Sequence, residues 1–490
     1  MFGWVHNNNN NLLPPTHTHF PYSNSLVSYY KHLSARPSQW KLVYSVSNSR
    51  AFELLADAHL KLMCERAVRK SIESYAPDVV VSVHPLMTNV PVLSCSKISQ
   101  ASGKHLPMFT VVTDLGSAHC LWFANTVEKM FVGSEAVWRL AQERGKVPED
   151  KLVRTGLPIR HDFAVQAEQF GDRQSPEGIA YQAKLRKQLN LPPNKPTILL
   201  MGGGEGVGSL ANITDALYAE LVAQGMDAVI LVVCGRNEKL QTSLAEKDWD
   251  AVLRRHRRST LNQASCVTAS PGCDDGFVTR RFRRMLTTST LRNAIQFPSV
   301  LDDEKVDDDK AEMVEASIQV QSSIVDVTDE TQPAVETNLG NVQVVGLGFV
   351  TNMAEYMVAA DILVSKAGPG TISEAAALSL PVLLTSFLPG QEEGNVEYVV
   401  EHGFGEFLAD TNPVGIADEI CDWIKHPDAL AERSRKAGAV GTPYAARDIA
   451  RAIGDSTLKW MELNQESSVA GGTSASSSNS STSSGDECSK

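Results

Sequence analysis

Thr197-Ile198-Leu199-Leu200-Met201-Gly202-Gly203-Gly204-Glu205-Gly206-Val207-Gly208 carries an apolar run straight into a glycine-rich turn. Residues 210–224 follow without glycine or proline and read as a helix. An apolar run of strand length, a glycine turn and a helix form the repeating unit of a parallel α/β sheet. Glycines let the backbone approach a bound group and leave free amides at a helix start, where the dipole favours an anion. A tight turn with no ligand fits this stretch equally well.

The same pattern recurs on both sides. Strands are expected near 227–233, 342–346, 361–365 and 381–385, and upstream at 79–83, 108–112 and 129–132. Residues 51–75 read as a helix. Strand–helix alternation over this length predicts an α/β protein with parallel sheets. A chain of 490 residues suggests two or three domains.

Composition excludes several classes. The net charge is −12, against nucleic-acid binding by the molecule as a whole. Eight scattered cysteines form no C-x-x-C pair, so neither a zinc site nor a disulfide framework is expected. No apolar run approaches the ~18–20 residues of a membrane-spanning helix. The first residues show neither a secretory nor a transit-peptide pattern.

Two further loops carry chemistry. Ser365-Lys366-Ala367-Gly368-Pro369-Gly370-Thr371-Ile372-Ser373-Glu374 follows an expected strand. Pro369 suits a first helical turn, and Gly368 and Gly370 permit close approach of a phosphate. Glu374 would repel a phosphate but accepts hydrogen bonds from ribose hydroxyls; stabilising its own helix start is the other reading. Pro389-Gly390-Gln391-Glu392-Glu393-Gly394-Asn395 offers amides and carboxylates suited to sugar hydroxyls. Loops that follow successive parallel strands share the carboxyl edge of the sheet, where ligands bind. Their convergence predicts a nucleotide-sugar site. A dinucleotide oxidoreductase fits poorly, because the first turn lacks the G-x-G-x-x-G spacing and its distant acidic residue.

Ordered motifs along the chain resemble the monogalactosyldiacylglycerol synthases of glycosyltransferase family 28. They are Pro77 to Met87, Val112-Thr113-Asp114-Leu115 with His119 and Trp122-Phe123, Gly156-Leu157-Pro158-Ile159-Arg160, Leu200 to Gly206, Val233 to Asn237, Lys366 to Thr371, and Gly390 to Asn395. The resemblance implies a GT-B fold, two Rossmann-like domains facing a cleft. It implies transfer of galactose from UDP-galactose to 1,2-diacylglycerol with inversion, at a plastid envelope membrane held peripherally. By carry-over, Gly202, Gly203, Gly204, Arg236, Phe349, Lys366, Gly368, Pro369, Gly370, Thr371 and Glu374 hold UDP. Gln391, Glu392 and Asn395 hold the galactose side. His84 and Asp114 are the catalytic candidates, and Trp122 faces the acceptor lipid. For His84, a structurally hydrogen-bonded histidine is an equal reading.

On this basis the expected organisation is a disordered 1–18, an acceptor domain 19–165, a linker 166–196, a UDP-sugar domain 197–442, a C-terminal helix 443–462 and a disordered Ser-rich tail 463–490. Residues 251–341 read as a disordered insertion with basic clusters at 254–258 and 280–284. The clusters either touch anionic lipid or are simply solvated. The chain departs from the family in lacking a Gly-Gly-Gly-His loop before residue 50, so its acceptor domain is expected to lack the first βα unit. No Asp-x-Asp motif stands where a diphosphate would sit, and neither a catalytic metal nor a cofactor is expected beyond the UDP-galactose donor. Another UDP-sugar-dependent lipid glycosyltransferase, or a UDP-sugar-binding protein without turnover, are the alternatives.

Overall fold

The computed structural model describes residues 36–202, 210–256 and 339–475. The expected disordered start 1–18, nearly all of the insertion 251–341, and the end of the tail lie outside the described residues.

After helices α1 (Pro37–Ser47) and α2 (Arg50–Tyr75), the first sheet takes four parallel strands: β1 (Val80–Ser82), β2 (Met108–Val111), β3 (Lys129–Val132) and β4 (Leu152–Arg154). Their order is β1-β2-β3-β4, with β1 at an edge among the described residues. Helices α3 (Asn89–Ser102) and α4 (Glu135–Glu143) make the crossovers. Ser134 starts α4 by accepting a hydrogen bond from Val137 N at 3.2 Å, a side-chain cap on an orphan amide.

The segment 166–196, expected as a linker with one short helical stretch near Tyr181 to Leu189, is largely helical. Helices α5 (His161–Phe170) and α6 (Pro176–Gln188) occupy most of it. The Gly, Pro and charged residues that suggested a connection mark helix ends and anchors. Gly171 takes φ +62 after α5, and Ser175 with Pro176 opens α6.

The second sheet comprises β5 (Thr197–Met201), β6 (Ala228–Val233), β7 (Val342–Leu347), β8 (Ile362–Lys366), β9 (Val382–Ser386) and β10 (Gly405–Phe407). All six are parallel in the order β10-β9-β8-β5-β6-β7. Between them run α7 (Leu210–Ala223), α8 (Glu238–Ala245), α9 (Met353–Ala359), α10 (Pro369–Ala377) and α11 (Glu393–Glu401). Leu199, Val229, Leu363 and Leu384 face one core, and Ile198, Leu200, Ile230 and Val364 face the other. Coverage on both faces is why these strands read as continuous apolar runs. The three-residue strands β4 and β10 had no such run to reveal them.

Arg173, between α5 and α6, is buried and donates to the carbonyls of Met357, Val358, Ala360 and Leu378 at 2.6–3.4 Å. It thereby satisfies orphan carbonyls at the ends of α9 and α10. Arg173→Met is expected to lower unfolding free energy by roughly 3 kcal/mol in a denaturant melt, since several buried carbonyls lose their donor.

After α12 (Pro413–Lys425) and α13 (Pro427–Val440), helix α14 (Ala445–Ala475) runs beyond the expected end at 462. It returns to the first sheet, where Ile449 packs with Phe109, Val111 and Phe131. The Trp460 indole donates to Glu128 at 2.9 Å. The two-sheet arrangement expected of a GT-B fold is present.

Candidate donor and acceptor site

The second sheet reverses direction beside β5. The chain builds β5, β6 and β7 outward on one side, then returns to add β8, β9 and β10 on the other. The strand order thus switches between β5 and β8, and the carboxyl edge at such a switch is the usual ligand position in an open α/β sheet. Gly202 begins the loop after β5, while Gly203 and Gly204 lie outside the described residues.

The β8 loop leads into α10 with Gly368 at its N-cap and Pro369 in its first turn. The first helical acceptor is Gly368 O, bonded by Ile372 N at 3.1 Å. The amides of Gly370 and Thr371 precede it and have no intrahelical acceptor by geometry. A side chain added at Gly370 would meet open space, so the helix start is accessible. Arg236 follows β6, its guanidinium 5.6 Å from the ring centre of the exposed Phe349.

Glu374 sits one turn into α10 and is 8% exposed. Its carboxylate is held by Arg160, Nε to Oε1 at 2.7 Å and the second guanidinium nitrogen to Oε2 at 2.9 Å. Arg160 precedes α5 and also stacks on Phe163, 4.7 Å from the ring centre. The Glu374 partner holds the guanidinium above its ordinary pKa.

The β9 loop is tied down more firmly than its polar sequence suggested. Glu392 is buried and accepts from Lys366 Nζ at 2.6 Å and from Leu388 N at 2.9 Å. Asn395 is 2% exposed. Its amide nitrogen donates to Ala367 O at 2.9 Å, and its oxygen accepts from Gly116 N at 2.8 Å. Asn395 thus joins three loops from two sheets. Gln391 is half-buried, and its main-chain carbonyl accepts from Ser117 Oγ at 2.9 Å. Lys366→Met would leave Glu392 buried with its charge unpaired. A stability loss of about 3 kcal/mol is expected in a urea melt, largely recovered in Lys366→Met with Glu392→Gln.

The acceptor-side candidates follow β1 and β2. His84 follows β1 with Val83 between, and its Nδ1 accepts from Leu86 N at 3.2 Å. Burial holds its imidazole below the ordinary histidine value. The proton of the neutral ring is therefore on Nε2, which is left as the donor. Asp114 accepts from the Trp122 indole nitrogen at 2.6 Å. Burial pushes its carboxyl up to about 6, with the Glu392 charge adding to the rise and the Trp122 and His119 N–H groups opposing it. Trp122 departs from expectation. Its ring is 1% exposed and packs with Val112, Phe123, Val127 and Val132, so it cannot present a face to lipid. A strand-edge aromatic reads as a surface platform only until the crossover folds over it.

Tyr44, Gly116 and Arg160 join the site without having been assigned a role. Tyr44 on α1 is buried edge-on to His119 at 5.4 Å and lies against Gly390. Burial first, then the Asp114 charge, raises its hydroxyl pKa. His119 is held neutral, pushed down to about 4 by burial and by Arg144, and its Nε2 lies 3.2 Å from Ser47 Oγ. The glycine in Asp114-Leu115-Gly116 and the motif ending in Arg160 were the signals available; nothing local marks Tyr44.

The family model "Monogalactosyldiacylglycerol (MGDG) synthase" matches residues 12–159, and "Glycosyltransferase family 28 C-terminal domain" matches residues 298–450. The chain is similar to the monogalactosyldiacylglycerol synthases. It is 28% identical over 414 residues to "Monogalactosyldiacylglycerol synthase 1, chloroplastic" of Arabidopsis thaliana, covering 83% of this chain and 57% of that protein. It is 29% identical over 436 residues to a probable monogalactosyldiacylglycerol synthase of Nicotiana tabacum, covering 88% and 61%. The chain thus spans about three fifths of the length of these relatives. Among solved structures, MurG of Acinetobacter baumannii superposes with a TM-score of 0.45 at 12% identity, covering 81% of this chain and 79% of that one.

Proposed function

We propose that the protein transfers galactose from UDP-galactose to the free hydroxyl of 1,2-diacylglycerol, giving monogalactosyldiacylglycerol with inversion at C1. The observation that carries the reading is the carboxyl edge beside β8, where the loops bearing Gly368 and Glu392 meet the Asp114 loop of the other sheet through Asn395 and Gly116. The acceptor-side carboxylate of Asp114 lies close enough to the donor loops to feel the charge of Glu392.

In this reading the amides of Gly370 and Thr371 and the guanidinium of Arg236 bind the diphosphate. They offset the charge that grows on it as the C1–oxygen bond breaks. Gly203, Gly204, Lys366, Pro369 and Phe349 complete the nucleotide side, Glu374 takes the ribose hydroxyls, and Gln391 and Glu392 the galactose. Asp114 is the base. It accepts the proton of the diacylglycerol hydroxyl while that oxygen bonds to C1 from the face opposite UDP. A carboxyl at about 6 is well matched to accept a proton near neutral pH. His84, with Nδ1 already accepting, is suited to donating from Nε2 and orienting the acceptor.

The acceptor lies in a bilayer, and no helix among the described residues is long and apolar enough to cross one. Peripheral attachment, aided by anionic lipid, and a plastid envelope address are therefore part of the proposal. The test supplies labelled UDP-galactose or UDP-glucose to diacylglycerol-containing vesicles and follows lipid label. A β-linked galactolipid is expected. Labelling from UDP-glucose alone would overturn the sugar assignment, and UDP binding without transfer would overturn the enzyme.

A further inference from the structure

The Arg160–Glu374 pair joins an arginine that follows the first sheet to the carboxylate assigned to the ribose, 214 positions away. We infer that Arg160 is a gate on the donor site: it occupies the Glu374 carboxylate in the donor-free protein and must leave before a ribose can bind. The inference rests on the proposed donor reading and adds a control to it.

A guanidinium edge offers two parallel N–H donors to the two oxygens of a carboxylate. A ribose offers two neighbouring hydroxyl donors, on O2′ and O3′, in a similar fork. Both ligands need the same pair of lone pairs, one on Oε1 and one on Oε2, and both oxygens are taken here at 2.7 and 2.9 Å. The guanidinium therefore stands in the position of the cis-diol.

The surroundings suit exchange. The two partners differ in exposure, with the Arg160 side chain 56% accessible and that of Glu374 10%. The arginine can move into solvent while the carboxylate stays fixed in α10. Arg160 keeps the Phe163 ring as a resting surface, and the charge of Asp162 lies near it. The guanidinium end of the pair is screened by solvent, which lowers what the pair is worth and lets a ligand compete for the carboxylate. Because Arg160 immediately precedes α5, breaking the pair also removes a tie between the chain leaving the first sheet and the second sheet.

Uridine isolates this step, because it carries the diol without charge. Its affinity is measured by calorimetry for the full-length protein, with 2′,3′-dideoxyuridine as the control and UDP as the check on the donor site. Arg160→Met is expected to bind uridine about threefold to tenfold more tightly, with dideoxyuridine unchanged. Arg160→Lys, which keeps the charge but loses the fork, is expected to fall between. Raising KCl from 50 to 500 mM, roughly a threefold shortening of the screening length, should tighten uridine binding to the unaltered protein and leave Arg160→Met unmoved. That measurement needs no variant to fold. Weaker or unchanged uridine binding by Arg160→Met, with no salt effect on the unaltered protein, would overturn the gate. Failure of the unaltered protein to bind UDP would overturn the donor reading instead.

Discussion

Asp114→Asn is expected to cut galactose transfer by about 10²- to 10⁴-fold, the usual contribution of a general base, while making the folded protein more stable at pH 8. The two effects have one origin. Asp114 sits at about 6 against an ordinary 3.8, chiefly because burial disfavours its charge. Between those values the folded chain binds more protons than the unfolded chain, so stability falls as pH rises through the window. Above pH 6 the full cost is present, about 1–3 kcal/mol once partial solvation is allowed for. Asparagine carries no charge and keeps an oxygen for the Trp122 indole, which now donates at 2.6 Å. The variant's advantage in melting temperature should thus be larger at pH 8 than at pH 5. Transfer by the unaltered protein, measured as kcat/KM, should fall as pH drops through about 6. A variant less stable than the parent at pH 8, or a rate flat between pH 5 and 7, would refute the assignment.

Gly116→Ala should be the most damaging small substitution in the site. A Cβ there would stand 1.8 Å from the carbonyl oxygen of Gly394 and 2.5 Å from Asn395 N. Both obstacles are backbone, so no side chain can rotate away, and one loop must retreat. Retreat breaks the Asn395–Gly116 hydrogen bond and moves Asp114, two residues away, relative to the donor loops. Overpacking of this kind costs about 1–3 kcal/mol, and a displacement of an ångström can cost about 100-fold in rate. The expected result is a loss of transfer of at least that order with UDP affinity changed less than threefold, since Gly116 lies outside the nucleotide loops. Calorimetry with UDP beside the lipid assay separates the two. Equal losses in both would show that the glycine pair supports the second sheet as a whole, not the meeting of acceptor and donor loops.

The sequence by itself determined most of the elements and the family resemblance. Strands such as Thr197–Met201 and Val382–Ser386 are buried on both faces, so their apolar character is continuous and local. The glycine loops are legible because backbone approach restricts residue type at the position itself. Even the helices in 166–196 left local marks, though Gly171 and Pro176 read as a connection until their caps were seen. Tertiary structure decided what the polar residues do. Trp122, named for the lipid, is a buried donor to Asp114; Asn395, named for the sugar, joins loops of both sheets; Glu374, named for the ribose, is held by an arginine 214 residues earlier. The reason is physical: a buried carboxylate or amide takes whichever partner the fold brings within about 3 Å. That partner is set by how two sheets meet, and a contact made across such a separation leaves no periodic trace in either stretch of chain.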